Sequence, residues 1–431
     1  MPLAWEIAIV AAMALFASVQ GGLVVGFLSA LRRGARPTSA AARNESAARS
    51  ETRRTPPRVQ VVLCVRGADP SLARCIRSLA SLDYPNYRVS VVADHAGDDG
   101  LIAIRRSLDE RQRERIDELV LDDQDRLESC SMKCSALIRA CRELTDEVEF
   151  VATVDADTRP PADWLDRLIA PMLGDPSIGA TTGVRWYSPG DRRWGSWTRA
   201  VWNGAAIVQM WAYSIPWGGS MAVRRSLLER AGLLERWRTT FCEDTPTTSQ
   251  LSRHGYRVRT VVDLILDNDE TCRLPDVAGW IRRQLLTARL HHPAWALVLG
   301  HAVATTAIPI AALVGASIAV AQGDLARAGL LAGAWAIYQT AMIALVVAID
   351  GGVRRAIRSG GGATVGRAST VSLAAAVFAS QWVHPWAAFG AAVIRAVTWR
   401  QIRYAVLTRG RVRRLDYAPY RSDAETATES L

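Results

Sequence analysis

The sequence predicts an α/β domain combined with transmembrane helices. Apolar, nearly charge-free runs stand toward both ends of the 431-residue chain, at Leu3–Leu31 and across 294–396. Between them, short β-branched runs alternate with stretches of helical apolar spacing, the pattern of strands joined by helical crossovers. Asp94, Asp155 and Asp157 close two of these strand-like runs. In such sheets ligands bind beyond the carboxyl ends of the strands, so separated acids point toward one crevice.

Taken in order, Leu3–Leu31 is broken only by Glu6 and Gln20. A bilayer core takes about 20 helical residues, so residues 1–31 read as a transmembrane helix. A signal peptide fits poorly, because no basic residue precedes the run and it exceeds the usual apolar length of about 7–15 residues. Arg32, Arg33 and Arg36 follow directly, and an excess of cations belongs on the cytoplasmic side. The central domain is therefore expected in the cytoplasm. Residues 32–57, rich in Ala, Arg, Ser and Thr and ending in Pro56-Pro57, lack apolar periodicity and read as a flexible cytosolic linker.

Ordered structure is expected from Arg58. Residues 58–65 form a strand closed by the polar turn Arg66–Pro70, and 72–82 carry helical spacing. A second strand covers 88–94, a helix 100–118, a short strand 118–121 and a helix 135–144. A further buried strand, 149–157, ends on acids. Beyond this domain, taken as 58–290, the membrane region 291–396 begins. Residues 294–320 and 328–350 each suffice for a span. The stretch 370–396 holds Gln381, His384 and Pro385 near its middle. A full crossing would put the basic tail, 397–431, outside; a re-entrant or interfacial hairpin keeps it cytoplasmic. That tail, with Trp399, Tyr404 and Tyr417 among many Arg, reads either as a small strand pair folding back on the domain or as disordered, and 421–431 as disordered.

The net charge of +10 does not imply nucleic acid, because Arg residues cluster at 32–36, 353–357 and 400–414 beside apolar runs. Such clusters meet anionic headgroups. Seven cysteines without paired spacing fit free thiols in a reducing compartment, and Cys130 with Cys134 lacks partners for a zinc site.

Two carboxylates one residue apart at a buried strand end, Asp155 and Asp157, need a cation or hydrogen bonds. A hard divalent ion held by carboxylates and substrate phosphates is one reading; a solvated turn is the other. Glu243-Asp244, just before a TPTTSQL run, fits either a catalytic carboxylate pair or a helix N-terminus.

Six segments then stand in a telling order: VLCVRGADPSLARCIRSL (62–79), VVADHAGDD (91–99), MKCSAL (132–137), VDADTRPPADWL (154–165), PWGGSMAVRRSLL (216–228) and FCEDTPTTSQLSRHGYRV (241–258). Together they resemble the membrane-bound family 2 glycosyltransferases, which include ceramide glucosyltransferases, hyaluronan synthases and cellulose synthases. WGGSMA and ADP-x-L look nearest to the ceramide-glucosyltransferase-like branch. The resemblance implies a GT-A-type, Rossmann-like mixed sheet, a nucleotide-sugar donor (a UDP-hexose) and a divalent metal, Mg²⁺ or Mn²⁺. It implies the metal on Asp155 and Asp157, donor contacts from Arg66, Asp94, Lys133 and Asp155, and an inverting mechanism with Asp244 as base beside Glu243. Trp217 and Gly219 match acceptor or diphosphate positions.

One element departs. Where the family carries Gln-x-x-Arg-Trp, this chain has Gln284 followed by Thr287 and Ala288, with Arg289, Arg282 and Arg283 as nearby substitutes. The missing Trp argues against a processive polymer product. A lipid hydroxyl is therefore the expected acceptor; a β-glycan synthase and a non-catalytic nucleotide-sugar-binding membrane protein are the alternatives. Trp194 and Trp197 open an apolar helical stretch with basic flanks, expected to lie at the bilayer surface and guide the lipid to Asp244. The location expected is a bacterial inner membrane, with the catalytic domain cytoplasmic.

Overall fold

The computed structural model describes residues 4–34, 55–191, 193–359 and 369–420. Most of the linker expected at 32–57, and all of 421–431, lie outside these residues.

After the apolar helix α1 (Ala4–Gly34), the catalytic half begins with β1 (Arg58–Val65), α2 (Leu72–Ala80) and β2 (Tyr87–Ala93). Next come α3 (Asp99–Ser107), α4 (Glu110–Arg113), β3 (Ile116–Val120), α5 (Met132–Arg142) and β4 (Val148–Val154). Then follow α6 (Trp164–Gly174), β5 (Ile178–Tyr187), α7 (Trp194–Ala212), β6 (Ser220–Arg224), α8 (Arg225–Arg230) and α9 (Leu233–Trp237). The half closes with α10 (Thr245–Ser252), β7 (Arg257–Asn268) and α11 (Leu274–His291).

The strands make one seven-stranded sheet in the order β3-β2-β1-β4-β6-β5-β7. β3, β2, β1 and β4 run parallel, while β6 pairs antiparallel with both β4 and β5, giving the mixed sheet expected. Both faces of β1 are buried, which is why its sequence is almost continuously apolar. Val59, Val61 and Leu63 pack with Leu72, Ile76 and Trp164, whereas Val62 faces Leu137 and Ala136 on the other side. That division is the two-residue period of a strand.

The helix expected at 100–118 is broken. Leu108 is extended, and Asp109 starts a new turn through a capping box with Gln112. Side-chain capping of this kind satisfies the backbone N–H groups that a helix start leaves free. β3 then begins at Ile116.

The membrane half contains α12 (Trp295–Ala321), α13 (Leu325–Ser359) and α14 (Thr370–Val393). Among the described residues α1, α12 and α13 are long and apolar enough to cross a membrane. Where a third span and a re-entrant or interfacial hairpin are weighed for 370–396, the structure has one unbroken helix with Pro385 inside it. Leu373 and Val377 near its start pack on Trp197 and Val201 of α7. Near its end, the Ala391 and Ile394 carbonyls accept from Arg289 of α11. The chain is thus returned to the catalytic half without the turn a hairpin needs.

α7 is likewise enclosed rather than laid on a surface. Trp197 and Trp202 are buried among α11, α13 and α14, and only Trp194 is well exposed. A three-stranded antiparallel sheet ends the described chain: β8 (Ala396–Trp399), β9 (Ile402–Val406) and β10 (Val412–Arg414). It docks on the catalytic half, where the Met132 N–H donates to Tyr404 Oη at 3.1 Å and the Tyr404 ring meets Phe241 edge-on.

Candidate active site

Asp155 and Asp157 follow the last residue of β4, at the carboxyl end of the sheet, and line a cavity that opens to solvent. Lys133, in the first turn of α5, reaches across that opening. Its Nζ donates to Asp155 Oδ1 at 2.6 Å and lies 2.7 Å from Glu243 Oε1. Burial works to raise the Asp155 carboxyl, yet Lys133 outweighs it and holds the group below its usual value. Asp157 behaves oppositely: burial, then Glu270 and Asp155, push it well up. Its Oδ1 is buried and has no hydrogen-bond partner, while its Oδ2 receives a 3.4 Å contact from Asn268. An orphaned carboxylate oxygen among acids suits a cation.

Asp94, His95 and Asp98 also lie within 4.8 Å of one another. Asp98 accepts from the Gly67 and Gly100 N–H groups and Asp94 pairs through Oδ2 with Arg66, while Asp94 Oδ1 and His95 Nε2 are buried without a hydrogen-bond partner. That cluster is a helix cap and an ion pair.

Glu243 and Asp244 arrive from the opposite wall, at the start of α10. Asp244 caps the helix: its Oδ1 accepts from the Thr245 N–H at 2.5 Å. Its Oδ2 accepts from the Gly218 N–H at 2.9 Å. The two N–H groups fix the carboxylate in place. A Cβ at Gly218 would collide with Glu243, and one at Gly219 with the Trp217 ring and Asp155. The Gly-Gly pair therefore lets this backbone press directly against both acids. Glu243 is buried, and burial raises its carboxyl to about 7, with Lys133 opposing and Asp244 reinforcing the shift.

Cations complete the cavity. Arg66 pairs with the buried Asp94, donates from Nε to the Arg400 carbonyl at 2.8 Å and from Nη2 to the Ala418 carbonyl at 2.7 Å. Burial raises the Asp94 carboxyl, with Arg66 opposing. Arg185 lies over the rings of Tyr187, Trp217 and Trp280 at 5.5, 5.5 and 4.9 Å. Arg283 faces Trp399 and is pulled down to about 10 by burial, then by Arg400 and Arg185. Arg400 donates to the buried Asp69 at 2.9 Å. Arg185, Arg283 and Arg400 thus converge, against their mutual repulsion, on one side of the acids.

A second cavity runs from this site between α1, α7, α12, α13 and α14. Its walls are mostly apolar. It shares Arg185, Trp217, Asp244, Gln284 and Thr287 with the first cavity, so Asp244 stands where a charged chamber meets an apolar one.

The model of the family described as Glycosyl transferase family 21 matches residues 22–412. The chain belongs to glycosyl transferase family 21. It is therefore a glycosyltransferase, as the order of its motifs implies. No curated protein matches it. Among solved structures, it is similar to the mannosyltransferase PcManGT from Pyrobaculum calidifontis in complex with GDP-Man and Mn²⁺. That pair shares 20% identity with a TM-score of 0.48, covering 80% of this chain and 99% of the other. It is also similar to glucosyl-3-phosphoglycerate synthase from Mycobacterium tuberculosis in complex with Mn²⁺, UDP and phosphoglyceric acid. There the identity is 17%, the TM-score 0.37, and the coverage 54% of this chain and 77% of the other.

In this family 21 chain, Arg66, Asp94, Lys133, Asp155, Asp157, Trp217, Glu243, Asp244 and Gln284 all line the charged cavity. Gly219 stands immediately behind it. Arg289 does not join them. Residues Trp280, Arg283, Gln284 and Thr287 share the inner face of α11, and Arg289, five positions past Gln284, is turned away by about 140°. Its guanidinium instead ties α11 to the end of α14. Sequence reasoning missed Arg185, Trp399 and Arg400. Trp399 ends the first strand of the tail sheet, and Arg400 stands in the turn that follows it.

Proposed function

We propose that this glycosyltransferase moves a hexosyl group from a UDP-hexose to a hydroxyl of a membrane lipid, with inversion at the anomeric carbon. The observation that carries this reading is the position of Asp244 at the junction of the charged and apolar cavities. A donor's diphosphate belongs among arginines, and a lipid's hydrocarbon belongs between apolar helices. Only at that junction do the reacting atoms of both meet.

The acceptor oxygen attacks the anomeric carbon, the bond from that carbon to the diphosphate breaks, and the nucleoside diphosphate leaves with the electron pair. Asp244 takes the acceptor's proton; held by two backbone N–H groups, it is oriented before substrate arrives. Arg185, Arg283 and Arg400 hold the charge that develops on the leaving diphosphate. Arg66 and Asp94 sit at the nucleoside end. Lys133 keeps Asp155 and Glu243 apart and takes part in donor binding. Asp157 with Asp155 would hold a divalent ion, Mg²⁺ or Mn²⁺, which would supply Lewis-acid neutralisation of the diphosphate charge. Arg32, Arg33, Arg355 and Arg358, at the ends of α1 and α13, favour a cytoplasmic catalytic half in a bacterial inner membrane.

The test uses the full chain in lipid nanodiscs, with UDP-hexose, Mn²⁺ and a panel of hydroxyl-bearing lipids, read by lipid mass spectrometry. Asp244→Asn should lower turnover at least about 100-fold while donor binding persists. Unchanged turnover in that variant sinks the assignment of the base, and a high-mass polysaccharide product sinks the lipid acceptor.

A further inference from the structure

The apolar cavity carries a polar cluster deep among the membrane helices. His301 of α12 lies within 3.4 Å of Gln209 of α7, and its ring centroid is 5.9 Å from that of His384 of α14. Gln339 of α13 and Gln381 of α14 exchange hydrogen bonds at 3.1 and 2.9 Å. Phe16 links the group to Tyr338, with ring centroids 5.2 Å from His301 and 6.5 Å from Tyr338. Phe16 stands near the middle of α1, and Tyr338 near the middle of the apolar part of α13 that ends before Asp350. The cluster thus reaches from His301, in the second turn of α12, to the middle of α1 and of the apolar part of α13.

Polar side chains at membrane depth are expensive and have two common uses, helix glue and ligand contact. The pairs separate these uses. Gln339 with Gln381, and Gln209 with His301, satisfy each other and tie neighbouring helices. Tyr338 Oη and His384 Nε2 are buried and have no hydrogen-bond partner, although both residues line the cavity. Leaving a buried hydroxyl and a ring nitrogen unpaired is unfavourable, and replacing Tyr338 by Phe would remove the first penalty without changing shape. Each of these two groups lacks a small polar partner.

We infer that the cavity binds an acceptor lipid bearing a second hydroxyl along its hydrocarbon chain, held by Tyr338 and His384. This rests on the lipid-acceptor reading above. It goes further in making the chain, as well as the headgroup, a determinant of which lipid is glycosylated. A site built to bond a hydroxyl rejects the analogue lacking it, because its own polar groups then stay unpaired.

The experiment compares acceptors that share one headgroup and chain length and differ only in a chain hydroxyl, placed at successive carbons. The full chain in nanodiscs is assayed with UDP-hexose and Mn²⁺. At one group of positions the hydroxylated lipid should have a kcat/KM about tenfold above that of the plain lipid. Tyr338→Phe and His384→Leu should each lower this ratio severalfold. Thermal unfolding of lipid-free Tyr338→Phe should match or exceed that of the parent, because the deleted hydroxyl had no partner. Equal kcat/KM for plain and hydroxylated lipids at every position overturns the inference and leaves the lipid-acceptor reading standing. Donor hydrolysis without transfer to any lipid overturns both. A ratio unaffected by either substitution overturns the assignment of these residues.

Discussion

Glu243 and Arg283 are each held at odds with their own charge. Glu243 is enclosed by Lys133 and Asp244, and burial raises its carboxyl from 4.5 to about 7. In the unfolded chain it ionises near 4.5, so between these values the folded protein binds more protons at this residue. Stability must then fall as pH rises through that window. Glu243→Gln should flatten this slope between pH 5 and about 7 in thermal unfolding of detergent-solubilised protein; an unchanged slope would assign the titration elsewhere. Arg283 has no carboxylate ion pair among the described residues, and Arg400 and Arg185 repel it. Unpaired buried cations destabilise a ligand-free protein and reward an anionic ligand. Arg283→Met should therefore raise the melting temperature without donor and weaken UDP-hexose binding about tenfold or more. Calorimetric titration reads the second effect, and a variant that binds donor normally removes Arg283 from the diphosphate site.

At the scale of elements, the turn between β8 and β9 decides where Arg400 points. Trp399 pairs with Ile402, so Arg400 and Gln401 alone make the turn, with φ of +48° and +62°. Two-residue hairpins of this hand normally use Asn-Gly or Asp-Gly, because side chains with a Cβ disfavour the left-handed region. Here the strain is retained beside a functional side chain, and docking of the small sheet on Met132 and Phe241 holds it. Gln401→Val, a β-branched residue in that region, should loosen the turn by about 1–2 kcal/mol. The expected result is a raised KM for UDP-hexose with little change in KM for the lipid, whereas equal rises in both would point to general unfolding. The same turn explains why the tail was hard to read: TWRQIRY offers no turn residue, so its strands had no visible boundary. The central strands were legible for the opposite reason. β1 and β4 are buried on both faces, their apolar runs are unbroken, and acids mark where β4 stops. Arg289 is near Gln284 in sequence, yet the helical angle of α11 turns it away from the cavity. The hairpin weighed at 370–396 kept the basic tail cytoplasmic, whereas in the one helix formed there Gln381 bonds sideways to Gln339 of α13 and His384 Nε2 keeps no partner.

Over the whole molecule, the catalytic half is joined to a helix bundle whose far end is also fastened. Glu6, fully buried near the start of α1, accepts from Arg327 in the first turn of α13 at 2.7 and 2.5 Å. Beside it Trp5 packs on Gly315 of α12, where any Cβ would clash with the indole. α1, α12 and α13 are thus clamped at the end away from the catalytic half, while Phe16, Val24, Val298 and Tyr338 between the two ends wall the apolar cavity. On the proposed lipid-acceptor reading, loosening this clamp should alter acceptor binding from a distance. Removing one member of a buried ion pair leaves the other uncompensated, at about 3–5 kcal/mol, whereas replacing both by apolar residues is close to neutral. Glu6→Leu should accordingly lower the melting temperature and raise KM for the lipid acceptor. It should leave donor affinity, set at the opposite end of the molecule, near that of the parent. Glu6→Leu with Arg327→Leu should recover most of both losses. Recovery of stability without recovery of the lipid KM would mean that the charges act on the acceptor directly. No loss in either variant would mean that the bundle is held by packing alone.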